Sequence, residues 1–246
     1  MTNEAFFISL PVNFKNKCQI YPPLLKEMLS NENFNIFRKL LTYSQEELED
    51  DLVNKIDSKE EIPTPLEYLL ASSYFNEEFE QLAKDAFKFF IKEDVTFLYD
   101  RKAILIGNLE EVVTKINTLD DLVIIEENEY FEFQNLIRES LGEKPIEPPN
   151  PNEDPRVRRI KAKARYRDKI KAKKGMGLSL ETIMESICCM GIGITPLNIG
   201  EMSYVAVTKI LNRYQEKEEY RRDIDCLLAG ADSKKIKPKY WIRNLE

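Results

Sequence analysis

The densest set of side chains able to bind a charged ligand lies in the basic segment, residues 156–174. It holds eleven Lys or Arg and a single acid, Asp168. Guanidinium and ammonium groups at this density bind phosphates or carboxylates through ion pairs and charge-assisted hydrogen bonds. The residues predicted to make such contacts are Arg156, Arg158, Arg159, Lys161, Lys163, Arg165, Tyr166, Arg167, Lys169 and Lys171.

As a helix, the basic segment would be about 28 Å long. Its apolar residues would form two narrow stripes on roughly opposite sides, one with Val157, Ile160 and Ala164 and the other with Ala162, Tyr166 and Ile170. Neither stripe is as wide as the apolar face of an ordinary core-facing helix. A membrane-surface helix needs a large apolar face, so the segment is not expected to lie on a membrane.

Three interpretations of the basic segment follow. It binds nucleic acid, where each neutralised phosphate releases counterions. It docks on an acidic protein surface, either on its own N-terminal part or on another copy. It is a solvated tether that orders only on assembly. The acidic residues upstream would repel a polyanion, and Tyr166 is the only aromatic residue in the segment for base stacking. The sequence therefore favours docking on protein, with nucleic-acid binding through residues 156–174 as the alternative.

Catalytic patterns are missing from the sequence. Histidine is absent, which removes Ser-His-Asp and Cys-His catalysis and the His-containing zinc sites. No phosphate-binding glycine loop occurs, and the many carboxylates are typical of solvated helix faces. The four cysteines form no CxxC pair and are expected to be reduced and buried: Cys18, Cys188, Cys189 and Cys226. We therefore expect no enzymatic activity, no cofactor and no metal.

Charge and proline divide the chain into four segments. Residues 1–150 hold fifteen basic and thirty acidic residues, although the whole chain has a net charge of −7. Five prolines fall between Gly142 and Pro155, where they disfavour helix and central strand. The predicted organisation is an acidic domain at 1–142, a proline-rich linker at 143–155, a basic helix at 156–177 and a helical C-terminal module at 178–246.

The predicted fold class is α+β. Strands are expected in "AFFISLPV", "KCQIYPP", "LVIIE" and on both sides of the turn in "VTFLYDRKAILIG". Capping residues Ser44 and Thr64 indicate helix starts, each followed three residues later by a glutamate. Ser203 is expected to cap a long helix that ends before Gly230.

The C-terminal end carries the residue types that dominate protein interfaces, Tyr240, Trp241 and Arg243. Pro238 prevents a continued helix, so this end either folds back on the chain's own helices or docks on a partner. No apolar run is long enough to span a bilayer, and the N-terminus is a poor signal peptide.

The run from Gly193 contains the pattern "TPxxIxxM" (Thr195, Pro196, Ile199, Met202), a long amphipathic helix and a closing "LLAGADSKKIKPKYW". These features resemble the C-terminal part of tailed-phage tail and baseplate assembly proteins, including tail assembly chaperones. The resemblance implies a non-enzymatic virion-assembly protein that acts by contact with other phage tail or baseplate proteins, with a homo-oligomer as a further option. It also implies a location in the host cytoplasm, or incorporation in the virion.

Overall fold

The computed structural model describes residues 2–52, 62–107, 122–146, 153–172, 180–232 and 235–242. Within these ranges the chain forms ten α-helices and two small antiparallel sheets, which confirms the predicted α+β class. The helices are α1 Thr2–Phe7, α2 Leu25–Ser30, α3 Phe34–Thr42, α4 Gln45–Leu52, α5 Pro65–Phe75, α6 Glu77–Ile91, α7 Glu127–Ser140, α8 Pro155–Ala172, α9 Leu180–Cys189 and α10 Tyr204–Leu228. The strands are β1 Val12–Phe14, β2 Cys18–Ile20, β3 Val95–Leu98, β4 Ala103–Ile106 and β5 Ile124–Ile125.

Both sheets come from local pairings. Strands β1 and β2 form a hairpin, and β4 lies between β3 and β5. All four residues of β4 are buried, as expected for a central strand. The β-rich runs predicted around the "DRK" turn and in "LVIIE" are confirmed, because β3, β4 and β5 lie in them.

The predicted capping boxes are present at α4 and α5. Ser44 Oγ accepts a hydrogen bond from the Glu47 N–H at 3.1 Å, and the Glu47 carboxylate accepts one from the Ser44 N–H at 3.0 Å. Thr64 and Glu67 form the same reciprocal pair at 3.2 and 3.1 Å. These bonds satisfy backbone donors that a helix start leaves without partners.

The strand predicted in "AFFISLPV" is wrong, because α1 covers its first residues. A strand would place Phe6, Ile8 and Leu10 on one face. In the structure Phe6 is fully buried, whereas Ile8 and Leu10 are exposed. A short apolar run does not by itself distinguish strand from helix, and here only one of its large side chains reaches the core.

The hydrophobic core is centred on α6 and α7. Phe87 of α6 stacks on Phe133 of α7 with ring centroids 5.6 Å apart, and Phe14 meets Phe133 edge-on at 5.5 Å. Phe90 is fully buried beside them. The buried face of α6, which includes Ala83, Ala86 and Phe87, packs into this core.

The C-terminal helices join the same core. Ile187, Val205 and Leu211 belong to one hydrophobic cluster with the N-terminal side chains. Ser203, the confirmed cap of α10, donates its hydroxyl hydrogen to the Phe6 carbonyl at 2.8 Å. Gly142, at φ +69°, lies so close to α10 that an added Cβ would stand 3.3 Å from Val205 Cγ2. The described residues of 1–142 and of 180–242 are separate along the chain but contribute side chains to one core.

The described part of the linker lies against the acidic domain. Glu143 forms ion pairs with Arg38 at 2.6 Å and Arg138 at 3.3 Å. The Ile146 N–H donates to Asn135 Oδ1 at 2.6 Å. The run at 147–152 lies outside the described residues.

Candidate functional site

The predicted basic helix is α8, and a proline begins it. Pro155 occupies the first helical position, where its missing N–H is not needed, so the helix starts one residue earlier than predicted. The Asp154 carboxylate accepts a hydrogen bond from the Arg156 N–H at 2.7 Å, and the Asp154 carbonyl accepts one from the Arg158 N–H at 3.0 Å. The end predicted at 173–177 lies outside the described residues.

One arginine joins α8 to the acidic helix α4. Arg165 Nε donates to Asp50 Oδ1 at 2.8 Å, and Arg165 Nη2 lies 3.5 Å from Glu49 Oε2. Both carboxylate side chains are almost fully buried. Arg165 Nη1 also lies 3.5 Å from Glu46, whose side chain is mostly exposed. Because buried carboxylates are costly without a paired cation, Arg165 is the main polar contact between the two helices.

A second arginine reinforces this contact. Arg158 Nε lies 3.8 Å from Glu49 Oε1, and Lys161 pairs with Glu153 just before the helix. Burial raises the pKa of Glu49, against the opposing effect of the two guanidinium groups. Burial also opposes the charge on Arg165, yet its bond to Asp50 keeps the pKa of the guanidinium above its usual value. The cation therefore stays charged at the interface.

The two apolar stripes of α8 have different surroundings. Ala162 is fully buried and Tyr166 is half-buried, so their stripe faces the chain. Ile160 is 68% exposed and Val157 is 44% exposed, and Ala164 is also exposed. Ala162 lies on the same side of α8 as Arg158 and Arg165, which contact α4, while the bulkier stripe is left in solvent.

The remaining predicted contact residues of α8 divide by position. Arg156 and Lys163 are exposed on the solvent side, whereas Arg159 is half-buried and has contacts of its own. The side chains of Arg167, Lys169 and Lys171 lie outside the described residues. Of the three interpretations of the basic segment, this geometry corresponds to docking on the chain's own acidic helix.

The C-terminal strap, residues 235–242, folds back along α10. The Tyr240 ring meets Tyr220 edge-on with centroids 5.6 Å apart. Arg213 donates to the Trp241 carbonyl at 2.7 Å, and Lys217 Nζ lies 5.8 Å from the centre of the Trp241 ring. Tyr240 is still largely exposed. The predicted contact residue Arg243 lies outside the described residues.

The sequence interpretation missed an exposed aromatic–acidic corner, formed by Tyr74, Phe75, Glu77 and Glu78 where α5 meets α6. Phe75 is 85% exposed and Tyr74 is 66% exposed, with their rings edge-on at 5.2 Å. Both glutamates are exposed as well. The buried face of α5 consists of Leu66, Leu69, Leu70 and Ser73. The corner could have been predicted from the adjacent aromatic residues Tyr74 and Phe75, because they follow the last residue of that buried face.

The cysteines only partly match the expected buried state. All four are free thiols, but Cys189 and Cys226 are exposed, because they lie at the end of α9 and on the solvated half of α10. Burial, followed by the nearby Glu93, raises the pKa of Cys18 to about 12. Within the described ranges, no three metal-ligating side chains lie together. No helix in those ranges has the length and apolar character needed to cross a bilayer.

The "TPxxIxxM" pattern has a structural role between α9 and α10. Thr195 accepts backbone hydrogen bonds that close the turn, and Ile199 is buried in the core. The Met202 carbonyl accepts a hydrogen bond from the Leu25 N–H at 3.0 Å. The pattern thus fixes the C-terminal helices to α2.

A family model described as YomV second domain matches residues 169–246, which is about a third of the chain. The match includes α9, α10 and the strap, and the family is phage-related. The C-terminal part of this chain is therefore similar to a domain of a phage-related family. No match was found among curated proteins or among solved structures.

Proposed function

We propose that this protein acts in phage virion assembly, in the tail or baseplate, through contact with other proteins and without catalysis. The observation that carries the proposal is the similarity of residues 169–246 to a phage-related domain. That stretch contains the features on which the resemblance to tail and baseplate assembly proteins rests, including Thr195, Pro196 and Trp241. Its site of action would be the host cytoplasm or the virion.

The surface chemistry supports a contact role. The aromatic–acidic corner exposes two large rings, and aromatic residues are enriched where proteins meet. Tyr240 on the strap is exposed in the same way. Exposed rings that are held in place by neighbouring side chains lose little conformational freedom when a partner covers them.

The arginine pairing weighs against nucleic-acid binding as the main role of α8. Arg158 and Arg165 already contact buried carboxylates, so using them for phosphates would leave Glu49 and Asp50 buried without a cation. Among the described side chains of α8, Arg156 and Lys163 are exposed and lack an ion-pair partner, and two such phosphate contacts add only modestly to affinity because each contributes separately.

Deleting the gene from the phage genome that carries it tests the proposal. Lysates would be examined by negative-stain electron microscopy, with the gene supplied from a plasmid as a control. We expect DNA-filled heads without complete tails, and complete virions when the gene is supplied. Normal, infectious virions from the deletion would contradict the proposal.

A further inference from the structure

The solvent face of α8 combines apolar and basic side chains. Successive helical residues turn by about 100°, so Ile160 points roughly away from the buried Ala162. Val157 and Ala164 lie on one side of Ile160, and Arg156 and Lys163 lie on the other. Within the described part of the chain, neither of these two cations has an ion-pair partner. We call these five residues the outward face of α8.

The aromatic–acidic corner has the complementary character. Phe75 and Tyr74 supply exposed apolar surface, and a further edge-on contact at 5.2 Å with Tyr99 holds the Tyr74 ring. Glu77 and Glu78 begin α6 and, among the described residues, pair with no cation. Carboxylates pair with arginine and lysine, and aromatic rings attract the same cations, so the corner suits a surface that carries both cations and apolar side chains.

These two surfaces are complementary in type, because one carries cations around an apolar side chain and the other carries carboxylates beside aromatic rings. Arg156 and Lys163 are about 10 Å apart along the helix axis, with Ile160 between them. That spacing lets the two cations lie on either side of an apolar contact made by Ile160. The buried side of α8 is not available to the corner, because Arg165 on that side already pairs with Asp50 and Glu49.

We propose that a second copy of this chain docks here, with the outward face of α8 on one copy against the aromatic–acidic corner of the other. Charge complementarity supports this occupant, because every copy carries both the exposed cations of α8 and the exposed carboxylates of the corner. This self-association names a partner for the proposed function. It is argued from the two surfaces, and only its role in virion assembly rests on that function. Self-association is measured on the purified full chain, so its failure is distinguishable from a failure of the virion test.

Sedimentation velocity over about 5–200 μM protein, at low and at high salt, tests the inference. We expect wild type to associate with rising concentration, and less so at high salt, where exposed charges are screened. Two charge-reversed variants should each associate at least tenfold more weakly: Arg156→Glu/Lys163→Glu and Glu77→Lys/Glu78→Lys. An equimolar mixture of the two should associate again, because each reversed surface then meets its new complement.

Two further variants sharpen the measurement. Phe75→Ala removes apolar area without changing charge and should also weaken association at least tenfold. Arg221→Glu/Lys237→Glu makes the same charge change on exposed residues of α10 and the strap, which belong to neither surface, and should leave association unchanged. A wild type that stays monomeric throughout overturns the second copy as the occupant, whatever other protein binds these surfaces. If circular dichroism shows that both charge-reversed variants are folded but their mixture does not associate, the proposed contact between copies is also overturned.

Discussion

The contact between α8 and α4 depends on Arg165, and replacing it by methionine tests how strongly. Arg165→Met keeps the length and apolar stem of the side chain but removes the cation from the almost fully buried Asp50 and Glu49. Removing one partner of a fully buried pair costs about 3–5 kcal/mol. Arg165 is 30% exposed, and its contact with Glu46 is a surface pair worth under about 1 kcal/mol. We therefore expect a cost of about 2 kcal/mol.

Native-state hydrogen exchange is the suitable assay because it reports each helix separately. A cost of about 2 kcal/mol corresponds to a roughly 30-fold loss of protection for the α8 amides. Amides of α6, in the core, should change much less. Arg156→Met is the matched control, since it makes the same replacement on the solvent side of α8 and should have almost no effect. Equal protection in the two variants would refute the assignment of Arg165 as the main contact.

Three further predictions concern caps, backbone conformation and thiols. Lys102, followed by the capping N–H of Thr64, holds the pKa of Glu67 below its usual value. This stabilisation is complete above the usual pKa of about 4.3 and is lost as the pH falls through the lower folded value. Glu67→Gln should lower the free energy of unfolding in urea by about 1 kcal/mol at pH 7 and by clearly less at pH 3. The same loss at both pH values would contradict a stabilising role of the charged Glu67 carboxylate. Gly142→Ala should cost about 2 kcal/mol, and more than Gly230→Ala, because both have positive φ but only Gly142 has Val205 within 4 Å; equal costs would argue against that packing. Native Cys18 should react with a thiol reagent far more slowly than the exposed cysteines, and equal rates would contradict its burial.

The helix ends could be predicted from sequence because their signals are local. Thr64 and Ser203 each bond to a backbone N–H three residues later. Gly230, at φ +94°, follows α10 as expected of a residue that ends a helix. None of these contacts depends on which distant segment lies nearby.

The partner of α8 could not be read from sequence. The basic segment has two apolar stripes of similar width. The stripe with Ala162 is buried and the stripe with Ile160 is exposed because α8 packs on α4, which lies more than a hundred residues earlier in the chain. The carboxylates that receive Arg165 belong to an acidic run whose pattern is also typical of a solvated face. Contacts between distant segments, rather than local helix propensity, therefore determine which stripe of α8 is buried.

The aromatic–acidic corner was missed for a related reason. The prediction of α5 rested on its cap, which does not tell which residues of the helix reach solvent. Tyr74 and Phe75 look like core residues in such a run, yet both are exposed because the buried face ends at Ser73. Only the packing of α5 on α6 determines which of its apolar residues are buried and which are exposed.

We propose that this protein works through protein contacts rather than through nucleic acid. Titration of labelled duplex DNA by fluorescence anisotropy, between about 50 and 200 mM salt, tests it most directly. We expect no saturable binding near physiological salt, either for wild type or for Arg156→Glu/Lys163→Glu. Saturable binding whose logarithm falls with log salt by about 0.9 per phosphate contacted, and which that variant loses, would contradict the claim.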